Sequence, residues 1–552
     1  MRRLASGWWE PEGRVPRTGD YGFLIDGDGP FPDPRSAWQP TGVHGLSRRF
    51  PAGRFRWGDQ GWQPPPLNSG VIYELHVGTF TAEGTFAAAI SKLDHLVELG
   101  ITHVELMPVH QFPGARGWGY DAASLFATHS AYGGPSGLMR FVDACHARSL
   151  AVILDVVYNH LSPEGNYLPT FGPYLTDRYG TNWGQAVNLD GPGSDQVRRL
   201  ICDNALGWLR DFHLDGLRLD AVHGFIEISA LPLLEQLATE VGLLQGELGR
   251  QLTVIAENNQ NDSRIIRPRS SGGMGVGLIW NDDFHHALHV ALTGDQDGYY
   301  RDFNGVEDLR VCLERGLVYS GRYASSREAV IGRPKDYPPY CQLVAYLQNH
   351  DQVGNRALGD RIGHLVEAEL AAIGAILLLT SPFVPMLFQG EEWGAATPFL
   401  YFTDLQDPGL GRAVRQGRRR EFSEFLGPGT VVPDPQTEAT FERSKLNWEE
   451  LAEPSHREVL ALYRNLIALR HQQRDLWASA ERPEVSSGSG WLLVRRGGVL
   501  VAANLGRRRR VFSLGGRFGE ADRVLLESSP GAKLGIRTVS VPAKGFAVLS
   551  CG

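Results

Sequence analysis

A chain of 552 residues with 42% hydrophobic content can bury a large core and exceeds the usual size of one domain, so two or three domains are expected. Its formal charge of -8 argues against nucleic acid and anionic membranes, which reward a basic surface, and favours neutral substrates. Five scattered cysteines without CxxC spacing indicate neither a disulfide scaffold nor a zinc site, and point to a reducing cytoplasm.

Arg2 and Arg3 are followed by no apolar stretch, so the start does not read as a secretory signal. Residues 1–66 are rich in Pro and Gly, carry Trp8, Trp9 and Trp38, and show only weak strand signals, consistent with a partial N-terminal module. Eight strand-like runs then follow: VIYELHVGTF from residue 71, ITHVELMPV from 101, LAVILDVVYNH from 150, DGLRLDA from 215, LTVIAEN from 252, GLIWNDD from 277, LVAYLQNHD from 343 and VPMLFQGEE from 384. Most intervals between them hold helix-period stripes, such as Phe86, Ile90, Leu93 and Leu96-Val97, or Leu138, Phe141-Val142 and Cys145. This alternation predicts parallel strands and an α/β fold, a (β/α)8 TIM barrel over 67–476. The Gly-, Pro-, Asn- and Tyr-rich stretch 161–192 is too long for an ordinary connection and reads as an excursion over the barrel mouth. Leu370–Phe388 is uncharged and long enough to span a bilayer, but Pro382 and Pro385 break it. It reads as a buried helix to about Leu379, a turn, and a strand. Residues 477–552 alternate in short runs separated by Gly and charged turns, predicting a C-terminal antiparallel β-sandwich, with Arg507–Arg510 at a solvated hairpin end.

Asp220, Glu257 and Asp351 each close one of the strand-like runs, the arrangement by which a barrel gathers carboxylates at one mouth. Taken singly, each reads at least as well as a structural cap or ion-pair acid; three together point to glycosidic bond chemistry, which needs one ionised and one protonated carboxyl group. Arg218, two residues before Asp220 on the same strand face, would keep Asp220 ionised as nucleophile. Glu257 has no basic neighbour in sequence and follows an apolar strand, so desolvation would raise its pKa toward that of a general acid. His285 and His289 lie one helical turn apart, but no third ligand stands at a typical spacing. No phosphate-binding GxxxxGK[ST] is present.

DVVYNH, GLRLDAVH, AEN and QNHDQ resemble, in order and spacing, the four signature strand ends of the α-amylase family of glycoside hydrolases. The resemblance implies Asp220 as nucleophile of a retaining reaction, Glu257 as acid/base, and Asp351 as the group that grips sugar hydroxyls. It further implies sugar contacts from His160, His350 and the stacking Tyr120, with Asp155 in support. Asn159 matches a calcium position of many amylases, but the remaining ligands have no counterpart located here, so no required metal and no cofactor are expected. Longer stretches, among them RGWGYDAASLFA, WNDDFHHALHVALTGDQDGYY and FQGEEWGAATPFLYFTD, are similar to the maltooligosyltrehalose trehalohydrolase family. That similarity implies cleavage of the α-1,4 bond next to a terminal trehalose, on maltooligosyltrehalose and related α-1,4-glucans, downstream of a maltooligosyltrehalose synthase. The family begins with a complete β-sandwich, whereas only some 66 residues precede the first strand here. Trp118, Trp280, Asp282, Asp283, Phe284, Trp393, Tyr401 and Phe402 are the candidates for reading the trehalose end, Trp280 and Asp282 foremost, although rings serve cores as readily as pockets. A branching enzyme, a debranching enzyme, a general α-amylase or a silent glucan-binding barrel are the competing readings.

Overall fold

The computed structural model describes residues 1–4, 8–13, 19–334, 337–422, 431–528 and 531–551. Eight parallel strands close into a barrel: β1 (Ile72–Leu75), β2 (His103–Leu106), β3 (Ala151–Val156), β4 (Gly216–Leu219), β5 (Thr253–Ala256), β6 (Leu278–Trp280), β7 (Leu343–Tyr346) and β8 (Val384–Phe388). Each pairs with the next in sequence, and β8 pairs with β1 to complete the ring. All eight coincide with the strand-like runs read from the sequence.

Alternation along each strand splits its residues between two cores. Tyr73, Leu75, Val104, Leu106, Leu217 and Leu219 pack outward into the large core shared with the helices. Ile72, Ile153, Ile255, Trp280, Val344, Tyr346 and Met386 form a separate cluster inside the barrel. Glu74, Glu105, Asp155 and Arg218 lie two residues beyond Ile72, His103, Ile153 and Gly216, which gives the first four strands an ionisable inner lining toward their C-terminal ends. The lining opposite, Ile255, Trp280, Tyr346 and Met386, is apolar and aromatic.

The helical stripes cover the barrel wall as their spacing predicts. In the helix Gly134–His146, Leu138, Phe141, Val142 and Cys145 are fully buried, whereas Val97, at the edge of the earlier stripe, is exposed. The uncharged stretch folds as the helix Ala368–Leu379, a turn and β8, and no helix among the described residues is long and apolar enough to cross a membrane. The segment after β3 forms a short helix, Leu168–Phe171, and a hairpin of Leu175–Thr181 with Gly184–Val187.

The N-terminal 66 residues contribute three two-stranded pairs; Phe23, Phe31 and His44 pack on the segment after β3 through Phe171 and Tyr167, and the end of the stretch docks near the start of the barrel strands. There Trp57 stacks on His213 at 3.8 Å, and Trp62 stacks on His146 at 4.4 Å while its Nε1 donates to Asp215 at 2.8 Å. At the other end of the chain, a five-stranded and a three-stranded antiparallel sheet pack together. Arg507–Arg509 lie in the turn before the strand Arg510–Ser513. One buried arginine, Arg496 on the strand Trp491–Arg496, ties this region to the barrel by donating to the carbonyls of Thr380, Ser381 and Leu476, while Arg470, on the last barrel helix Pro454–Gln472, gathers those of Leu379, Ser381 and Phe383 beside it.

Candidate active site

Arg218 organises the carboxylates at the C-terminal ends of β3, β4 and β5. Its fully buried guanidinium donates through Nη1 to Asp155 Oδ2 at 2.5 Å and Asp220 Oδ1 at 3.0 Å, and through Nη2 to Glu257 Oε2 at 2.7 Å. Beneath it the Trp280 ring lies 4.0 Å from the guanidinium carbon, a cation–π contact that leaves the cation's in-plane donors free. Glu257 therefore does have a basic neighbour, contrary to the sequence reading. The contact crosses from β4 to β5, where Arg218 stands opposite Ile255, and no spacing within one strand reveals it. Burial nonetheless pushes the Glu257 carboxyl up to about 8, with Arg218 opposing and Asp220, Asp351 and Asp282 reinforcing the rise.

Local backbone completes the arrangement. Ala221, directly after Asp220, is held in the left-handed region at φ 41°, and its N–H donates to Glu257 Oε2 at 2.8 Å. Such strain in a residue with a Cβ persists only where the surroundings enforce it. On the other side of Asp220, Asn159 Nδ2 donates to Oδ2 at 2.5 Å and to the backbone oxygen at 2.9 Å. Its amide is thus spent on Asp220.

Tyr120, His160 and His350 meet around the same centre. The Tyr120 hydroxyl donates to Asp155 Oδ2 at 2.6 Å and lies 2.7 Å from His350 Nε2, with the two rings stacked at 5.1 Å. Burial raises the Asp155 carboxyl to about 7, with Arg218 pulling the other way. Burial works to lower the His350 pKa, but Glu74 and Asp351 overcome it and push the ring up to about 9. Asp351 is the most open of the three acids, with 37% of its side-chain surface exposed, and it accepts a bond from Asn355. The ring of His160 lies flat against Trp183 at 5.1 Å, and its Nε2 donates to the Tyr120 carbonyl at 3.0 Å. Trp183 comes from the hairpin after β3 and is 42% exposed, an open aromatic face beside the site. Sequence reading did not single it out, although a Trp in a hairpin tip of an insertion over the mouth is a usable signal.

The remaining candidates divide by exposure. Trp118 and Trp280 are 5% and 2% exposed; Trp118 donates to the Leu400 carbonyl, stacks on Phe399 and stands edge-on to His350, so both rings brace the charged groups. Asp282 is partly exposed and accepts from the Tyr346 hydroxyl. Phe284, Trp393 and Phe402 are buried completely, and Asp283 accepts backbone bonds from Val318 and Tyr319. His285 spends its ring nitrogens on the Leu347 carbonyl and the Tyr300 hydroxyl, and His289 faces Asp295. Among the described residues, no group of three or more His, Cys, Asp and Glu side chains is arranged to hold a metal ion.

Barrel and site together define a glycoside hydrolase of the α-amylase class, and residues 50–172 match the alpha amylase catalytic domain. Over 92% of this chain and 88% of its own length, the malto-oligosyltrehalose trehalohydrolase of Arthrobacter ramosus is 52% identical. That of Saccharolobus solfataricus is 43% identical over 88% of this chain and 83% of its own. A solved structure of a Salmonella typhimurium protein assigned as an alpha amylase superposes with a TM-score of 0.88 at 38% identity, covering 97% of this chain and 91% of that one. The chain belongs to the malto-oligosyltrehalose trehalohydrolase family.

Proposed function

We propose that this protein hydrolyses the α-1,4-glucosidic bond next to the terminal trehalose of maltooligosyltrehalose, releasing trehalose and a maltooligosaccharide with retained configuration. The observation that carries the chemistry is the shared guanidinium: Asp220 and Glu257 sit on the two terminal nitrogens of Arg218, close enough to flank one glycosidic bond. Asp220, ionised and aligned by Arg218 and Asn159, attacks the anomeric carbon as the bond to the trehalose oxygen breaks. Glu257 delivers its proton to that oxygen, then takes a proton from the water that displaces Asp220. Asp351, His160, His350 and Tyr120 hold the glucosyl unit being transferred, and Asp282 and Trp183 flank its approach. The choice of trehalose as leaving group is supported by the similarity to trehalohydrolases along most of the chain.

The reading includes an organisation of three parts: residues 1–66 as a partial N-terminal module, 67–476 as the catalytic barrel with the excursion near 161–192, and 477–552 as a C-terminal β-sandwich. It places the protein in the cytoplasm, supported by five cysteines that are all free thiols, and downstream of a synthase that makes the trehalose end.

The deciding experiment compares maltotriosyltrehalose with maltopentaose, which hold the same number of glucose units. Free trehalose as the main product, with the maltooligosaccharide appearing first as its α anomer by proton NMR, is the expected result. Maltose from both substrates at equal rates would assign the protein to general amylolysis, and transfer to a branch point would assign it to branching.

A further inference from the structure

We infer that Glu74, on β1 and outside the substrate-facing groups, is the positioning residue that keeps His350 cationic and aimed. The inference deepens the site reading above, since it concerns how that site is held together. Glu74 is 1% exposed and spends both carboxylate oxygens on residue 350: Oε1 lies 2.5 Å from Nδ1, and Oε2 accepts the backbone N–H at 3.0 Å. One contact fixes where the strand end sits and the other fixes how the ring is turned, so the pair acts as a two-point clamp. A carboxylate this close to a ring nitrogen, walled from water, favours the doubly protonated ring. Nε2–H then has to donate, and the Tyr120 hydroxyl 2.7 Å away accepts while passing its own proton toward Asp155 at 2.6 Å. The line ends at Arg218 and, through it, at Asp220 and Glu257. The charge on His350 thus sets the direction of the Tyr120 bonds, the ring donating to the hydroxyl and the hydroxyl to Asp155, where Arg218 donates from the far side.

Among the groups around His350, the acids favour the cation and Arg218 opposes it. Asp351, on its own segment, has Oδ1 3.6 Å from Nε2; Arg218 faces it from β4 and opposes the charge. His76, just after β1, is driven by burial down to about 4 and stays neutral, and Trp118 and Trp280 present an edge and a tilted ring. Glu105 stands opposite Glu74 on β2, is wholly buried, and has no hydrogen-bond partner on either oxygen among the described residues. An ionised carboxylate without donors in that position is disfavoured, so burial favours the protonated form of Glu105, whereas Glu74 accepts from both the backbone and the ring of His350. The rise of the His350 pKa agrees with the geometry.

The test is histidine-selective nitrogen NMR of the full chain, with the His350 signals identified by their loss in His350→Gln. In the wild type the ring is expected to be doubly protonated at pH 7.5 and to titrate near 9. In Glu74→Gln it should be neutral at pH 7.5, and in Glu74→Asp it should titrate between the two. On maltotriosyltrehalose, kcat of Glu74→Gln should fall about a hundredfold while KM moves by less than about threefold, with part of the loss recovered in Glu74→Asp. A carboxylate of purely structural value would leave the titration unmoved, and that outcome overturns the inference. So does a neutral His350 in the wild type at pH 7.5, an outcome that needs no Glu74 variant to fold. The titration needs no substrate, so a failure to release trehalose would strike the proposed function and leave this result standing.

Discussion

Glu257 holds its proton in the folded protein up to about 8, against an ordinary value of 4.5 for a free glutamate, because burial disfavours its charge. Between those two values the unfolded chain gives up a proton that the folded one retains, so this residue's contribution falls as pH rises from about 4.5 toward 8. Glu257→Gln is therefore expected to melt above the wild type at pH 8 and to lose that advantage near pH 4.5, while turnover on unactivated glucan drops by about two to four orders of magnitude. Calorimetry and kinetics on one preparation check both, and equal melting at pH 8 would refute the protonated acid. The same proton sets an alkaline limit: kcat/KM should decline as pH passes about 8. Arg218→Lys should cost at least about a hundredfold in kcat, because a point charge cannot replace a planar fork gripping three carboxylates. At this scale the acids themselves were legible, since each closes an apolar run. The second grip of Arg218 and the clamp by Glu74 were not, because both cross between strands that lie far apart in the chain.

Short elements around the mouth transmit packing to the charged groups. Gly354 ends the helix His350–Gly354, and a Cβ there would run into the Trp118 ring, which is pinned through Nε1 to Leu400 and stands edge-on to His350. Gly354→Ala should therefore shift Trp118, cost about 1–3 kcal/mol, and lower kcat, with a change in tryptophan emission reporting the displaced ring. Trp183→Ala, on the exposed hairpin, should leave stability within about 0.5 kcal/mol and raise KM more than it lowers kcat. All eight barrel strands could be read from apolar runs alternating with helical stripes, because each element's own period announces it. Trp183 was passed over although its place in an insertion over the mouth was a signal, since a ring in a Gly- and Asn-rich stretch does not by itself say whether it packs inward or faces the site.

Across the whole molecule, the C-terminal sheets are joined to the barrel through main-chain carbonyls gathered by Arg496. Removing Arg496 as Arg496→Leu strands several buried acceptors at about 1–3 kcal/mol each before relaxation, so denaturant unfolding should show the C-terminal sheets melting ahead of the barrel. This junction was hidden in the sequence, where an arginine in WLLVRR reads as a solvated strand residue.

The ionisable half of the barrel lining lies out of reach of dissolved ions. Glu74, Glu105, Asp155 and Arg218 are each at most 1% exposed. Dissolved ions weaken only attractions they can surround, and they cannot surround these. Turnover should stay nearly level from about 0.05 to 1 M sodium chloride, and a steep decline would mean that electrolyte penetrates the floor of the barrel.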